Sequence, residues 1–311
     1  MAEITASMVK ELREATGAGM MDCKKALTQT EGDFDKAVEY LRENGLAKAA
    51  KKANRIAAEG IVAIATEGDT KAAVVEVNSE TDFVAKNEKF QAYVAKVAAQ
   101  ALTSNADSIE AFLEEKWNED TSKTVAEELQ GQIAVIGENL KIRRFEKVEA
   151  NDGAVVSYIH AGGKIGVIVK AKTAVVNDEV KEALKNIAMQ VAALNAKYVT
   201  RDEVDQEYIA SETEIIRAQI MNDPKESQKP ANVIDGIVKG RISKQLKEIC
   251  LVDQVYVKAE DVKQSVADYL KQVSKAVGAD ITVTSFVRYE TGEGLEKKNE
   301  DFAAEVAAQL R

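Results

Sequence analysis

Apolar residues recur every three or four positions in three short stretches at the start of the chain. Because residues three and four apart share one face of a helix, this spacing predicts three helices within residues 1–45. Two glycine-containing breaks separate them, at residues 17–19 and 31–33. Asp33 is expected to cap the third helix and Gly45 to end it. So small a module buries little surface, so we expect it to depend on contact with the rest of the chain.

Two longer stretches, residues 60–102 and 153–195, share one pattern, and they align at a spacing of 94 residues when Gly68 is placed over Gly162. Each has two runs of alternating apolar residues joined by a glycine-containing turn, followed by a helical pattern. We therefore predict one strand–turn–strand–helix unit that occurs twice. Two such units predict an α+β fold, in which an antiparallel sheet is covered on one face by helices.

The two units differ in the loop between the second strand and the helix. The first unit carries Asp82 and Phe83, and at the same spacing the second carries Val176 and Asn177. Since the second unit is expected to fold without an acidic and aromatic pair, the fold of the unit does not require the pair. Its position in a loop also favours a functional role.

Residues 202–249 are predicted to form a helical hairpin. Both prolines of the chain, Pro224 and Pro230, fall in the connection formed by residues 222–230, and proline is not tolerated inside a helix. Such an arm is expected to be an antiparallel coiled coil that serves contact or dimerisation. The remaining predictions are helices near residues 109–117, 125–136, 266–273 and 302–310 and strands over 140–145, 255–257 and 281–289.

Charge and hydropathy restrict the classes of partner. The net charge of −10 opposes binding to a phosphate backbone. Basic residues cluster only within residues 46–58, where a basic helical linker is predicted; the alternative, a nucleic-acid patch, lacks interleaved aromatic residues. No apolar run approaches the ~20 residues of a membrane span, and the first residues lack the features of a signal peptide. We expect a cytoplasmic protein without direct contact to nucleic acid or membrane.

Few residues carry the chemistry of metal sites or covalent catalysis. His160 is the only histidine, and Cys23 and Cys250 are the only cysteines, with no partner at ligand spacing. We predict no catalytic residue, no bound metal and no cofactor, and both cysteines are expected to be buried. The position of His160 before a hairpin turn is also consistent with a hydrogen bond inside that turn.

Asp82 and Phe83 admit three functional interpretations: a metal-ligand pair, a catalytic acid or the tip of a partner contact. A contact is favoured, because acid–base catalysis normally uses two carboxyl groups. The structural alternative is that Asp82 caps the helix that starts near Asn87 and Phe83 covers the sheet edge. Met20 and Met21 follow a Gly-Ala-Gly turn and indicate an adaptable docking surface, with core packing of one of them as the alternative.

Several long segments resemble one known family. These segments are MAEITASMVKELREATGAGMMDCKKAL, ETDFVAKN, SYIHAGGKIGVIV and FVRYETGEGLEKKNEDFAAEVAAQ. They occur in the same order as in bacterial elongation factor Ts, and the match spans the whole chain. Several collinear segments are far more specific than any one pattern, so the chain is identified by resemblance as a member of this family.

The resemblance implies a guanine-nucleotide exchange factor for elongation factor Tu, the GTPase that carries aminoacyl-tRNA to the ribosome, and not an enzyme. In the family one loop enters beside the Mg²⁺ site of the GTPase, and its phenylalanine acts as a wedge that displaces the metal. The matching residues here are Thr81, Asp82, Phe83 and Val84. Further interface residues carried over from the resemblance are Met20, Met21, His160 and Phe302.

The resemblance also implies a domain organisation. It comprises a three-helix module similar to ubiquitin-associated domains, a core of two related subdomains, a helical arm and a C-terminal helix that reaches the GTPase. The expected division is residues 1–45 for the module, 46–59 for the linker, 60–150 for the first subdomain, 151–200 and 251–290 for the second, 201–250 for the arm and 291–311 for the C-terminal helix. Pairing of two chains through the arm would give a 2:2 complex with elongation factor Tu.

Three positions depart from the family pattern. Gln190 stands where the family commonly has histidine, and Ala196 and Val255 stand where it commonly has proline. These changes remove a second core histidine and leave the 81–84 loop untouched. Two other functions remain as alternatives: a non-catalytic, chaperone-like binding module that acts through the N-terminal helices, and a metal-dependent enzyme that uses Asp82.

Overall fold

The computed structural model describes residues 4–261 and 263–296. The helices are α1 (Ala6–Thr16), α2 (Met20–Gln29), α3 (Phe34–Lys52), α4 (Asp82–Ala85), α5 (Glu88–Thr103), α6 (Ile109–Glu114), α7 (Val125–Ile136), α8 (Asp178–Leu194), α9 (Gln206–Asn222), α10 (Ala231–Ile249) and α11 (Val266–Val277). The strands are β1 (Glu59–Glu67), β2 (Lys71–Ser79), β3 (Lys116–Trp117), β4 (Asp120–Thr124), β5 (Lys141–Glu149), β6 (Gly153–His160), β7 (Ile165–Lys172) and β8 (Thr282–Glu290). The predicted C-terminal helix, with Phe302, lies outside the described residues.

The first three helices form the predicted module around a small core. Leu12, Cys23 and Leu27 are fully buried in it. The side chain of Asp33 caps α3, as predicted, by accepting a hydrogen bond from the backbone N–H of Lys36 at 3.1 Å. The three-helix prediction for this segment is confirmed.

The prediction that Gly45 ends the third helix was wrong. α3 continues to Lys52, and Gly45 lies buried inside it. The reason is tertiary: α7 packs against α3 at this point, and a β-carbon added at Gly45 would lie 3.3 Å from the Cβ of Ala134. The glycine therefore permits close approach of two helices. Residues 46–52, half of the predicted linker 46–59, belong to the third helix of the module.

Two three-stranded antiparallel sheets follow, ordered β1-β2-β5 and β6-β7-β8. Their central strands, β2 and β7, both shift register against the third strand, between Glu76 and Val77 in one and between Lys170 and Ala171 in the other. These positions are 94 residues apart, which is the spacing of the predicted repeat. The repeat is confirmed, and it extends to a third strand, β5 or β8, that the sequence pattern did not include.

One glycine in each unit is required by the pairing of its hairpin. A side chain at Gly60 would collide with the carbonyl oxygen of Val77, and one at Gly153 would collide with that of Ala171. Gly60 pairs with Asn78 and Gly153 with Lys172, each one residue beyond the register shift of the central strand. The two units therefore share a close backbone approach as well as a strand order.

The two sheets pack against each other, and helices cover their outer faces. Alternate residues of β2 face α5 on one side, including Val75, and the second sheet on the other, including Val74. In the second sheet Ile168 faces the first sheet, and Val169 faces α8 and α11. The predicted mixed α+β class with antiparallel sheets and covering helices is confirmed, and the second face of each sheet is buried by the other sheet. This explains why β2 is buried along both faces.

The two predicted long helices are α9 and α10, joined by the segment with both prolines. They run antiparallel, since Arg217 bonds Asp235 and Glu212 bonds Gln245. A separate apolar cluster holds them together: Ile216, Ile220, Ile234 and Val238. Within residues 4–261 and 263–296, no helix has both the length and the apolar composition needed to cross a lipid bilayer.

The predicted strand at residues 255–257 was wrong. Val255 makes only an isolated bridge to Ser265. The side chain of buried Gln190 occupies the place of a neighbouring strand: its amide donates to the Val255 carbonyl at 3.0 Å, and its carbonyl accepts from the Val257 N–H at 2.8 Å. The departure from the family pattern at Gln190 therefore contacts the departure at Val255 directly.

Candidate functional site

The 81–84 loop follows β2 and forms the short helix α4 before α5 begins. Thr81 caps α4, since its hydroxyl accepts a hydrogen bond from the N–H of Val84 at 3.4 Å. Asn87 caps α5 through its side-chain oxygen, which accepts from the N–H of Lys89 at 2.9 Å. The interpretation of Asp82 as the cap of the following helix was therefore wrong, because other residues cap both helices.

Asp82 makes a local ion pair at the surface. Its carboxylate lies 2.6 Å from the Nζ of Lys86, one helical turn later. The hydrogen bond from Lys86 lowers the pKa of Asp82 below its usual value, and the positive charge of Lys164 acts in the same direction. The carboxylate is ionised at neutral pH, and it contributes a fixed negative charge at the surface of the loop.

Phe83 points away from the protein. Its side chain is 81% exposed, the largest value among the big apolar side chains of the described residues. Val84 beside it is half-buried against the core of the first sheet, and Ala85 is buried. The interpretation that Phe83 covers the sheet edge was therefore wrong. An exposed aromatic ring costs solvation free energy, and such residues commonly mark interaction sites.

Two carboxylates hold the base of the loop. Glu138 accepts hydrogen bonds from the N–H groups of Glu80 and Thr81, both at 3.0 Å, and from the hydroxyl of Thr81 at 2.6 Å. In return, Glu80 accepts from the N–H of Asn139 at 2.6 Å. Asn139 is buried and donates to the carbonyl of Arg55 at 2.8 Å. The loop is thus bonded to two other segments of the chain.

The second unit has no counterpart of α4. Asn177, at the position that corresponds to Phe83, caps α8 by accepting a hydrogen bond from the N–H of Val180 at 2.9 Å. α8 then continues without a break to Leu194. In the first unit the corresponding residues instead form a separate turn, α4, which presents Phe83. The shared fold does not require this turn.

Met20 and Met21 open α2 and are 56% and 75% exposed. The alternative that one of them belongs to the core was wrong, because Cys23, Ala26 and Leu27 form the buried face of α2. Met20 lines a cleft of about 420 Å³ together with Val84 and with Val135 of α7. The structure therefore brings the N-terminal module and the 81–84 loop to the two sides of one cleft.

His160 ends β6 at an exposed turn. Its Nδ1 lies 2.9 Å from the Tyr158 hydroxyl. Lys164, at the other end of the turn, bonds Glu59 at 2.6 Å, and Glu59 pairs with Ser79, two residues before the loop. The turn therefore lies at the same end of the core as the 81–84 loop. Among the described residues, no group of three or more histidine, cysteine or acidic side chains is arranged to hold a metal ion.

Comparison with known proteins places the chain in a family. A family profile described as Elongation factor TS matches residues 80–293. The chain is 56% identical over 314 residues to Elongation factor Ts of Clostridioides difficile (strain 630), covering 100% of both. It is 50% identical to that of Clostridium novyi (strain NT) over 99% of each chain, and 52% identical to that of Clostridium perfringens (strain 13 / Type A) over 98% of each. The chain belongs to the elongation factor Ts family.

As a member of the elongation factor Ts family, the chain is a nucleotide exchange factor for elongation factor Tu in translation, and it is not an enzyme. The resemblance drawn from the sequence segments is confirmed. Exchange requires binding and displacement without covalent chemistry. That requirement fits an exposed ring beside a surface carboxylate whose partner is Lys86.

Sequence reasoning missed the residues that hold the loop in this member of the elongation factor Ts family. Glu138 and Asn139 are 57 and 59 residues away in sequence from the groups they bond, and no periodic pattern links positions so far apart. One local signal was present: Gly137 ends α7 in the left-handed conformation, with φ of 90°. A helix stop of this kind turns the chain sharply, and it directs Glu138 back to the loop.

Proposed function

We propose that this exchange factor acts on elongation factor Tu with the 81–84 loop, which enters beside the Mg²⁺ of the bound nucleotide. The observation that carries the proposal is the exposure of Phe83 on a turn that the fold does not use. Asp82 brings a negative charge to the same surface, and the loop base is anchored before any partner arrives. These features suit a preformed wedge better than a flexible tail.

The chemistry of the proposed target supports this role. In GTPases Mg²⁺ is held by phosphate oxygens, a few protein ligands and ordered waters. A carboxylate and a rigid ring placed beside such a site compete with those ligands, so the metal and then GDP are released. By linkage, GDP weakens the binding of the factor by the same ratio, and rebinding of GTP displaces it.

The loop supplies only part of the interaction free energy. Burial of a phenylalanine side chain stabilises a complex by roughly 1.5–3 kcal/mol, whereas a shift of ~10⁴ in nucleotide affinity requires about 5.5 kcal/mol. We propose that Met20, Met21 and His160 provide further contacts, because all three are exposed and lie on elements that adjoin the loop. Phe302 is proposed for the same role on the resemblance alone.

We also propose the domain organisation implied by the family, with a module similar to ubiquitin-associated domains, two core subdomains and a coiled-coil arm. Homodimerisation through the arm is part of this proposal, with a 2:2 complex as its product. Supporting it, α9 and α10 carry exposed apolar residues outside their shared seam, among them Ile215, Met221 and Val233.

The test is release of fluorescent GDP from elongation factor Tu, followed by stopped flow with a catalytic amount of the factor. Phe83→Ala should lower the rate by about tenfold or more, since burial of the ring is worth ~1.5–3 kcal/mol. Asp82→Ala should lower it less. Val176→Ala, at the position that corresponds to Asp82 in the second unit, is the matched control and should act like the wild type.

Magnesium provides the second arm of the experiment. When elongation factor Tu is first depleted of Mg²⁺ with a chelator, the difference between wild type and Phe83→Ala should shrink, because the step that the ring assists has already occurred. Wild-type rates for both loop variants would refute the proposal. Unfolding of both variants, seen by circular dichroism, would instead show that the pair is structural.

A further inference from the structure

The base of the 81–84 loop is held by Glu138, which accepts three hydrogen bonds from Glu80 and Thr81. One carboxylate oxygen accepts the N–H groups of Glu80 and Thr81, and the other accepts the Thr81 hydroxyl. The same hydroxyl accepts the N–H of Val84 and so caps α4. Glu138 therefore orients the group that starts the helical turn carrying Phe83.

Glu138 is itself fixed in place. On its N-terminal side, Gly137 ends α7 through a hydrogen bond from its N–H to the carbonyl of Ile133 at 3.0 Å. On its C-terminal side, the N–H of Asn139 donates to the Glu80 carboxylate. Both neighbours of Glu138 are thus held, and its side chain is half-buried. Charge-assisted hydrogen bonds of this kind are short and strong, and several from one carboxylate fix direction as well as distance.

Other contacts also hold the turn: the Asp82–Lys86 ion pair, the Ser79 hydroxyl, which donates to the Thr81 carbonyl at 3.0 Å, and the burial of Ala85. The Phe83 ring is not held by any of them. Phe83 has no packing that would keep it extended into water, and a free aromatic ring on a flexible loop would sample many orientations or fold back on apolar surface. Ordering such a loop on binding costs conformational entropy, and a loop ordered in advance avoids that cost. A residue that fixes the entrance of the turn therefore affects how readily Phe83 enters its target.

We propose that Glu138 is a positioning residue for nucleotide exchange: it holds the turn of Thr81 so that Phe83 is presented before elongation factor Tu binds. This inference rests on the proposed function of the loop. Glu138 itself need not contact the GTPase. Its effect is exerted through the position of the loop, and this separates it from a residue that merely stabilises the fold.

The first test compares Glu138→Ala with a matched control on the same subdomain. Glu115 is also a half-buried carboxylate that holds a loop, since it accepts from the Ser104 hydroxyl at 2.8 Å and from the Asn105 N–H at 3.3 Å. Glu138→Ala should lower the maximal rate of GDP release about tenfold and leave the factor concentration for half-maximal rate within about twofold. Glu115→Ala should change neither. A wild-type rate for Glu138→Ala would overturn the proposal.

A double-mutant cycle separates positioning from general damage. If Glu138 acts through Phe83, then adding Glu138→Ala to Phe83→Ala should lower the rate by less than about twofold further, because coupled residues are not additive. An equal further loss in both backgrounds would overturn the proposal. If Phe83→Ala alone released GDP at the wild-type rate, the proposed function of the loop would fail first, and the positioning role would fall with it.

Amide hydrogen exchange tests the hydrogen bonds between Glu138 and the loop base in the absence of the GTPase. In the free protein, Glu138→Ala should raise the exchange rate of the Glu80 and Thr81 amides by at least about tenfold, while the amides of β2 stay protected. Glu138→Gln retains one acceptor oxygen and should be intermediate in both exchange and GDP release, and it carries the test if the alanine variant does not fold. Unchanged protection of the Thr81 amide in both variants would overturn the proposal.

Discussion

Glu76 is a fully buried carboxylate at the point where the two sheets meet. It accepts hydrogen bonds from Arg143 at 3.0 Å, from Arg144 at 2.6 Å and from the backbone N–H of Gly292 at 2.8 Å. The three donors belong to β5 and to the turn after β8. One side chain of β2 therefore joins the first sheet to the segment that follows the second, and an unpaired charge here would be costly.

Lowering the pH should reduce the stability that the hydrogen bonds of Glu76 contribute. Burial tends to raise the pKa of Glu76, but the Gly292 N–H, the Asn78 amide and the two guanidinium groups lower it below its usual value. A lowered folded-state pKa contributes stability that is present above the unfolded value of about 4.3 and is lost as the pH falls through the folded value.

Glu76→Gln should therefore lower the free energy of unfolding at pH 7 by about 2 kcal/mol. Breaking a fully buried ion pair costs ~3–5 kcal/mol. The cost here is smaller because the two arginines are partly exposed. Urea unfolding at a series of pH values measures it, and the difference from the wild type should shrink below about pH 4. Glu67→Gln, at an exposed position of β1, is the control. A difference that stays constant down to pH 3.5 would contradict the linkage.

The residues of the candidate site that could be predicted are those at which the two repeat units of the chain can be compared. Asp82 and Phe83 stood out because the second unit lacks them, and the structure leaves the ring exposed. Glu138 and Asn139 were not predictable, since their bonds join segments that are distant in sequence. Met20 and Met21 were ambiguous, because an apolar pair at the first turn of a helix fits core and surface equally well until the packing of that helix is known.

The elements themselves were largely predictable because their periodicity is local. The hairpins, the repeat and the two long helices follow from alternation, glycine turns and proline positions. The errors came from tertiary contacts. α7 makes Gly45 a contact residue instead of a helix stop, and Gln190 replaces a strand beside Val255. β5 and β8 join the repeat only through pairing over long sequence distances.

Because α7 packs against Gly45, substitution of this glycine should affect stability differently from substitution of a helical glycine in open space. Gly45→Leu should destabilise the protein by about 1–3 kcal/mol, because the added side chain meets Ala134 and overpacks the contact. Gly240→Leu in α10 should stabilise it by about 0.8 kcal/mol. A β-carbon there has open space, and leucine has a higher helix propensity than glycine.

Thermal and urea unfolding of the two glycine variants provide the measurement, with the wild type as reference. The change in the free energy of unfolding should have opposite signs in the two variants, although both replace a glycine inside a helix by leucine. If Gly45→Leu were as stable as Gly240→Leu, the packing of α3 on α7 would not depend on the missing side chain, and Gly45 would have no structural role beyond its low helix propensity.

At the scale of the whole molecule, two units of related fold form one four-layer core, and the functional features depart from that symmetry. The 81–84 loop occurs in one unit only, and the N-terminal module packs beside it. The α9–α10 hairpin interrupts the other unit between α8 and α11 and has its own apolar seam. Contacts that hold the loop come from Ser79 of β2 and from the segments that follow α7 and α3. Among the described residues, no hydrogen bond to the loop comes from the hairpin.

This separation predicts that assembly and exchange can be uncoupled. If two chains pair through the arm, Ile215→Lys combined with Val233→Lys should convert a dimer to a monomer, because each lysine would place a charge in an apolar contact. Light scattering during gel filtration measures the mass of the particle. Leu194→Lys, at an equally exposed position at the end of α8, is the control and should leave the mass unchanged.

The same double variant should release GDP from elongation factor Tu within about twofold of the wild-type rate, since distant sites without shared contacts act independently. A wild type with the mass of one chain would refute pairing through the arm. Loss of both pairing and exchange would show instead that the second chain completes the interaction with the GTPase, because no hydrogen bond, ion pair or apolar cluster of the described residues connects the arm to the 81–84 loop.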